Sequence, residues 1–182
     1  MILDPETIKK ALDTKEVDRR EPISAGENIL TIKDVKAKLS KNGNPMVLLD
    51  LIKDEMHKIL MVNYTLSSET GATMLVQFMM NSFGYVMQPS ETEEDVVNQI
   101  RQYIGVKFKA AIRLKERLNE DGSRIFTYPD LWYTGKIDDT SFMVSNKKLT
   151  VELSKEDKAR HSKHIQSLLN PMAEQNNNDL PF

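Results

Sequence analysis

The sequence predicts a mainly β fold with helices, in which five short strands form a small barrel and a helical insert separates the third strand from the fourth. One observation is the alternation of apolar and charged residues over 106–117, because only a strand sorts a two-residue period onto two faces. A second is the three-to-four-residue spacing of apolar residues over 69–83, which is typical of a helix. The third is size: 182 residues, of which 40% are hydrophobic, are enough to bury the core of one such domain.

The first part of the domain is predicted to be three strands that follow a short helix and a connector at 1–26. Asp4 and Pro5 are typical of a helix start, and Gly26 ends the connector. The strand-forming segments that follow are 28–39, 46–52 and 57–66. Consecutive strands with tight connections are typical of a small antiparallel barrel or sandwich.

The helical insert is predicted to contain two helices. The first covers 69–83 and ends at Gly84, since glycine favours the left-handed conformation that closes many helices. The second is capped by Ser90 or Thr92 and has acidic side chains in its first turn, where they stabilise the helix dipole. Its expected buried face consists of Val96, Val97, Ile100 and Ile104. Three strands, helices and two strands is the element order of an OB-fold, which the sequence therefore predicts over 27–137.

A basic and aromatic hairpin at 105–133 is predicted to form the fourth and fifth strands around a turn at 119–122. The formal charge of −2 and the pI near 6.0 are low for a nucleic-acid-binding domain, but residues 105–128 carry six cations against three acids. Cations beside stackable rings suit single-stranded nucleic acid, with the turn at the tip of the binding loop. An ordinary hairpin with one solvated face is the alternative for this segment considered alone.

Two sets of side chains are the candidate contacts for such a ligand. The cations expected to meet phosphates are Lys36, Lys38, Lys41, Lys107, Lys109, Arg113, Lys115, Arg117 and Arg124. The rings expected to stack on bases are Phe126, Tyr128, Trp132 and Tyr64. Strand alternation predicts that Phe126, Tyr128 and Trp132 share one side of the hairpin. It also predicts that Tyr133 faces the other side.

The rest of the chain is predicted to be an extension at 138–169 and a tail at 170–182. An edge strand is expected within 141–151, followed by a helix that Ser154 caps. The tail is polar and of low complexity, which predicts disorder in the free protein. Its last four residues are Asp179, Leu180, Pro181 and Phe182. A terminal ring beside the chain's own carboxylate suits an apolar pocket of a partner protein that has a Lys or Arg near it. The alternative is a tail without function.

Composition and motifs argue against several classes of site. The chain has no cysteine, which excludes disulfides and cysteine metal sites and is typical of a reducing compartment. His161 and His164 are spaced as on one helix face, but the sequence supplies no third ligand, and it contains no nucleotide-binding loop or hydrolase motif. We therefore expect no metal, no cofactor and no catalysis. Since no apolar run of about twenty residues and no signal-peptide pattern occurs, we expect a cytoplasmic protein without membrane contact.

The ending resembles the C-terminal tip of bacterial single-stranded-DNA-binding proteins, which commonly end in several acids followed by Leu or Ile, Pro and Phe. The body at 27–137 resembles the bacteriophage-encoded OB-fold proteins of that class, through the run KAKLSKNGNPMVLLD at 36–50 and the helix with its stop at 69–84. One departure is the three asparagines at 176–178, where the family usually has aspartates. Tip docking is therefore expected to be weaker, or aimed at another partner.

This resemblance implies a protein that coats and protects single-stranded DNA, without strong sequence preference, during phage replication and recombination in an infected bacterial host. It also implies that the tip recruits replication or recombination proteins, and it leaves open a homo-oligomer. The alternative is a protein–protein interaction module, a phage-encoded adaptor or inhibitor that imitates the host tip. A nuclease is a third reading, against which the lack of a convergent metal-ligand set argues.

Overall fold

The computed structural model describes residues 4–13, 18–145 and 148–170. Within these residues the chain forms a mixed α/β fold of four helices and one six-stranded sheet. The helices are α1 (Pro5–Asp13), α2 (Glu69–Phe83), α3 (Glu93–Arg101) and α4 (Lys155–Leu169), and the strands are β1 (Gly26–Leu39), β2 (Pro45–Ile52), β3 (Leu60–Thr65), β4 (Lys107–Leu118), β5 (Ile125–Lys136) and β6 (Thr150–Val151). None of the helices in the described ranges is long and apolar enough to cross a membrane.

The sheet runs in the order β3-β2-β1-β4-β5, and every neighbouring pair on this path is antiparallel. The predicted order of three strands, two helices and two strands is confirmed. The sheet is open, however, because no ladder joins β3 to β5 among the described residues, whereas the sequence predicted a barrel. Helix α2 packs against both of these edge strands and thus lies across the opening. The sixth strand, β6, pairs in parallel with β4 at Leu114 and Lys115.

Strand β1 joins the two halves of the sheet. Its first residues, from Gly26 to Thr31, pair with β4, and its remainder pairs with β2. The register shifts between Ile32 and Asp34, which makes Lys33 the extra residue of a β-bulge. A bulge bends its strand and increases the local twist, so the β2–β3 half turns away from the β4–β5 half.

The core lies between α2, α3 and one face of the sheet. Phe108 of β4 is fully buried, and its ring meets the ring of Phe78 of α2 edge to face, with centroids 5.4 Å apart. Along α2 the predicted period buries Leu75, Phe78 and Met79, but Met74 is 52% exposed. A buried hydrogen bond of 2.7 Å, donated by the hydroxyl of Ser82 to that of Thr134, ties α2 to β5.

The predicted stop of α2 and the predicted cap of α3 are confirmed, whereas α3 ends earlier than predicted. Gly84 has a φ of 67°, and its N–H donates to the carbonyl of Met80 over 2.8 Å. Thr92, not Ser90, caps α3 and accepts a hydrogen bond from the N–H of Asp95. Ile104 was predicted to be buried with α3 but is 41% exposed, because the helix already ends at Arg101.

The C-terminal extension differs from the predicted edge strand. Of its described residues, only Thr150 and Val151 form a strand that pairs with the sheet, and the segment 137–145 crosses the base of the hairpin instead. There Phe142 packs on Gly135, where the absence of a side chain leaves room for the ring. Helix α4 begins after the cap Ser154, as predicted.

Candidate nucleic-acid interface

The outer face of the β4–β5 hairpin is the face opposite α2 and α3. The register places Arg113 opposite Asp130, Lys115 opposite Tyr128, and Arg117 opposite Phe126. Directly opposed residues in an antiparallel pair share a face, so these six side chains line the outer face together. The predicted separation of cations from the apolar positions Phe108, Ala110 and Ile112 is therefore confirmed for this stretch of β4.

On this surface the cations of β4 lie beside the aromatic rings of β5. The guanidinium of Arg113 lies 5.5 Å from the centroid of the Trp132 ring, and that of Arg117 lies 5.3 Å from the centroid of Tyr128. Both distances are within the range of cation–π contact. The rings of Phe126 and Tyr128 follow each other with centroids 6.5 Å apart. We call the following six residues the cation–ring ladder: Arg113, Lys115, Arg117, Phe126, Tyr128 and Trp132.

A second β-bulge corrects the predicted direction of Tyr133. Ala111 pairs with Tyr133 and Ile112 pairs with Leu131, so Trp132 is the extra residue between them. An extra residue shifts the alternation by one position, and Tyr133 therefore lies on the outer face beside Trp132. The two rings meet with centroids 5.1 Å apart. The prediction that Tyr133 faces away from the other rings was wrong.

An acidic residue lies among the ladder cations. Oδ2 of Asp130 accepts a hydrogen bond of 3.0 Å from Nε of Arg113, and Nζ of Lys115 lies 3.0 Å from the same oxygen. The three side chains are between 24% and 31% exposed, so water reaches the group. Sequence reasoning missed this carboxylate, although its pairing with Arg113 follows from the hairpin register once the bulge is known.

The base of the outer face is occupied by the segment 137–145. Nζ of Lys109 donates to the carbonyl oxygen of Asp139 over 2.6 Å, and the hydroxyl of Tyr133 donates to the carbonyl of Met143 over 2.5 Å. The ring of Phe142 lies 5.4 Å from that of Tyr133. Lys109, predicted as a phosphate contact, is thus already engaged by the protein's own backbone. Lys107 is exposed at the start of β4.

Tyr64 is placed in the core, which corrects its prediction as a stacking residue. It is 5% exposed, and its ring lies 6.0 Å from that of Phe78. Burial, and to a lesser extent the charge of Asp130, raises the pKa of Tyr64 above its ordinary value. A ring packed in this way has no free face for a base.

A groove of about 280 Å³ separates β3 from β5. It is lined by Leu60, Met61, Val62, Asn63, Tyr64, Met74, Tyr128, Pro129, Asp130 and Leu131. Tyr128 and Asp130 belong to both the groove and the outer face of the hairpin. The groove therefore opens beside the cation–ring ladder, where the sheet is not joined.

The turn of the hairpin, which the sequence predicts as the tip of a binding loop, contacts α4. Nδ1 of His161 lies 2.8 Å from the carbonyl oxygen of Gly122, and the Arg160 guanidinium donates to the carbonyl of Asn119 over 3.3 Å. These two contacts anchor the turn to α4. Arg124 follows the turn and is exposed, and its backbone N–H donates to Oδ1 of Asn119 over 2.9 Å.

The remaining predicted cations lie in another pair of strands. Lys36 and Lys38 are exposed in the part of β1 that pairs with β2, and Lys41 is exposed in the turn after it. Nζ of Lys36 lies 3.6 Å from the carboxylate of Asp34. The register does not bring these lysines into the cation–ring ladder. The predicted partner-binding residues 179–182 lie outside the described residues.

Within the described ranges no three His, Asp or Glu side chains come together as they would around a metal ion. Comparison of the sequence with protein-family models and with curated proteins finds no match.

Proposed function

We propose that this protein binds single-stranded nucleic acid, single-stranded DNA foremost, along the outer face of its β4–β5 hairpin and without strong sequence preference. The observation that carries the proposal is that the cations of β4 lie beside the rings of β5 in the cation–ring ladder. Cations that follow a backbone and rings that accept any base are the two requirements of such binding. No catalytic step belongs to the proposal.

The ladder suits this ligand because charge and rings are accessible on the same face. Arg117 and Phe126 are exposed, and Tyr128 is partly exposed between Lys115 and Arg117. A base that stacks on Tyr128 places its phosphate within reach of either cation. Stacking on a ring is tolerant of sequence since every base has a π face.

The arrangement of the sheet supports an OB-like scaffold for this surface. Strand β1 is shared by both halves, the helices follow the third strand, and the edges β3 and β5 meet at α2. An OB-fold is a partly open five-stranded barrel that presents such a face to oligonucleotides. We propose that the described sheet is a more open relative of that architecture.

The test uses Trp132, which is the single tryptophan of the chain and a member of the ladder. Titration with an oligo-dT strand at low salt should change its fluorescence saturably. Three phosphate contacts, one for each ladder cation, predict a slope of about −2 in a plot of log affinity against log salt. Absence of saturable binding at low salt would contradict the proposal and favour an interaction module.

A charge-matched pair of variants locates the surface. Arg117→Gln removes a ladder cation, while Arg101→Gln removes an exposed arginine of α3 that pairs with Glu94. We expect Arg117→Gln to reduce oligo-dT affinity about tenfold, and Arg101→Gln to change it less than about twofold. Equal losses in the two variants would show that binding follows total charge and not the ladder.

We also propose that the terminal residues Asp179, Leu180, Pro181 and Phe182 recruit a replication or recombination protein. The support is the sequence of the ending, an acid and apolar residues beside a terminal carboxylate. Deletion of 179–182 should change oligo-dT affinity by less than about twofold relative to the full chain. A replication or recombination protein that binds the full chain should no longer bind the shortened chain. A large loss of DNA affinity on deletion would show that the tail belongs to the binding surface instead.

A further inference from the structure

Asp130 contacts the cations where a phosphate would be expected. Its Oδ2 takes the 3.0 Å contacts from both Arg113 and Lys115, two cations of adjacent outer positions. Arg and Lys are the residues that recognise phosphate, and a carboxylate offers them oxygens of the same charge. Asp130 thereby neutralises part of the surface that the proposed function requires.

The exposure of this group makes its displacement feasible. Asp130 is 24% exposed, Arg113 is 25% exposed and Lys115 is 31% exposed, so an anion in solution reaches the same cations. Water competes in part for both partners of each ion pair, which screens their attraction. A phosphodiester held by several contacts is a stronger competitor than a single carboxylate.

Two further contacts show what would surround a phosphate bound in place of the carboxylate. Arg113 also lies over the Trp132 ring, and Asp130 lines the groove beside Tyr128. A phosphate that takes the place of the carboxylate would therefore have a ring on each side along the hairpin. This position is the centre of the ladder.

We infer that Asp130 occupies the site of a nucleic-acid phosphodiester in the free protein and acts as a built-in competitor that lowers affinity. This inference rests on the proposed function, since it assigns one phosphate site within the same surface. It makes Asp130 a determinant of the affinity of binding. The ligand class is a phosphodiester whose flanking bases stack on the ladder rings.

The experiment compares Asp130→Asn with Asp18→Asn. Asp18 is a matched control because it pairs with Arg20 at 2.9 Å, away from the hairpin in sequence and exposed. Hydrogen bonds from Arg20 lower the pKa of Asp18 to about 2, so its substitution also removes a full negative charge near neutral pH. Both variants thus raise the net charge by one.

We expect Asp130→Asn to bind oligo-dT about tenfold more tightly than the unmodified chain, and Asp18→Asn to differ from it by less than about twofold. The slope of log affinity against log salt should stay near that of the unmodified chain, because both chains bind the same phosphates once the carboxylate is displaced. In a chain that also carries Arg113→Gln and Lys115→Gln, Asp130→Asn should give no gain, since its effect acts through those cations.

The outcomes separate the two proposals. Binding by the unmodified chain with no greater gain in Asp130→Asn than in Asp18→Asn overturns this inference and leaves the proposed function intact. Weaker binding by Asp130→Asn, with an unchanged midpoint of thermal unfolding, shows that the carboxylate positions the cations and also overturns it. Failure of every variant to bind oligo-dT at low salt removes the proposed function and this inference with it.

Discussion

Cations lie on the outer side of both halves of β4, but the surroundings of the two halves differ. In 107–112 the apolar side packs against α2, and Phe108, Ala110 and Ile112 are fully buried. On the opposite side of that half, Lys109 is held by the segment 137–145. In 113–118 the outer side stays accessible, and its cations meet rings and one carboxylate.

This difference shows that strand alternation alone does not decide which side chains are accessible. The segments that pack on the strand decide it. Strand alternation places the cations of both halves on the outer side. The segment 137–145 engages Lys109 in the first half, whereas the cations of the second half remain accessible to water. The bulge at Trp132 marks the border, because it turns Trp132 and Tyr133 to the outer side together. Four measurements test this difference.

The largest effect is expected from removing one ring in each half. Phe108→Ala should lower the free energy of unfolding by about 3 to 5 kcal/mol, because the ring is fully buried against Phe78. Phe126→Ala should lower it by less than about 1 kcal/mol, because its ring is 40% exposed. Chemical denaturation of the two variants checks both values, and similar losses would show that the outer half is also core.

The next effect concerns affinity and rests on the proposed function. Phe126→Ala should weaken oligo-dT binding by about 1 to 3 kcal/mol, the usual contribution of one stacked base. Phe142→Ala removes a ring that packs on Gly135 at the covered base, and it should weaken binding by less than about 1 kcal/mol. Trp132 fluorescence measures both. A larger effect at Phe142 would move the binding surface to the base of the hairpin.

A substitution at Gly135 tests the covering segment. A Cβ added there would lie 2.4 Å from Cδ2 of Phe142, so Gly135→Ala must push the ring away. We expect a loss of about 1 to 3 kcal/mol in the free energy of unfolding from this overpacking. In a chain that already carries Phe142→Ala, the same substitution should cost much less. An equal cost in both backgrounds would show that the ring does not occupy this position.

The smallest effect is a dependence of stability on alkaline pH. The folded state raises the pKa of Tyr64 above its ordinary value of 10.0, chiefly through burial, so the folded chain keeps the phenolic proton that the unfolded chain loses. The stabilisation is fully present below pH 10 and is lost as the pH rises above it. Tyr64→Phe should therefore flatten the fall in unfolding free energy above pH 10. An unchanged slope would indicate that the ring is hydrated.

Local patterns predicted the elements well where one period extended over many residues. Helix α2 was predicted at its observed limits because the apolar spacing and the stop at Gly84 agree. The cations Lys115 and Arg117 and the rings Tyr128 and Phe126 were predicted to face the same way because an uninterrupted ladder keeps its alternation.

The failures lie where long-range contacts decide. Tyr64 has the alternation of a stacking strand residue, but α2 covers the side of β3 on which it lies. Phe142 and Val144 alternate as in a strand, but the turn after β5 takes them across Gly135 before any pairing occurs. Neither a covering helix nor the direction of a turn is encoded in a local period.

Local sequence patterns account for the element order, the stop of α2 and the presence of cations and rings on one hairpin, because each depends on neighbours a few residues apart. The folded chain adds the open sheet, the bulge that brings Tyr133 beside Trp132, and the carboxylate of Asp130 between Arg113 and Lys115. Each of these depends on cross-strand register, which a single inserted residue changes.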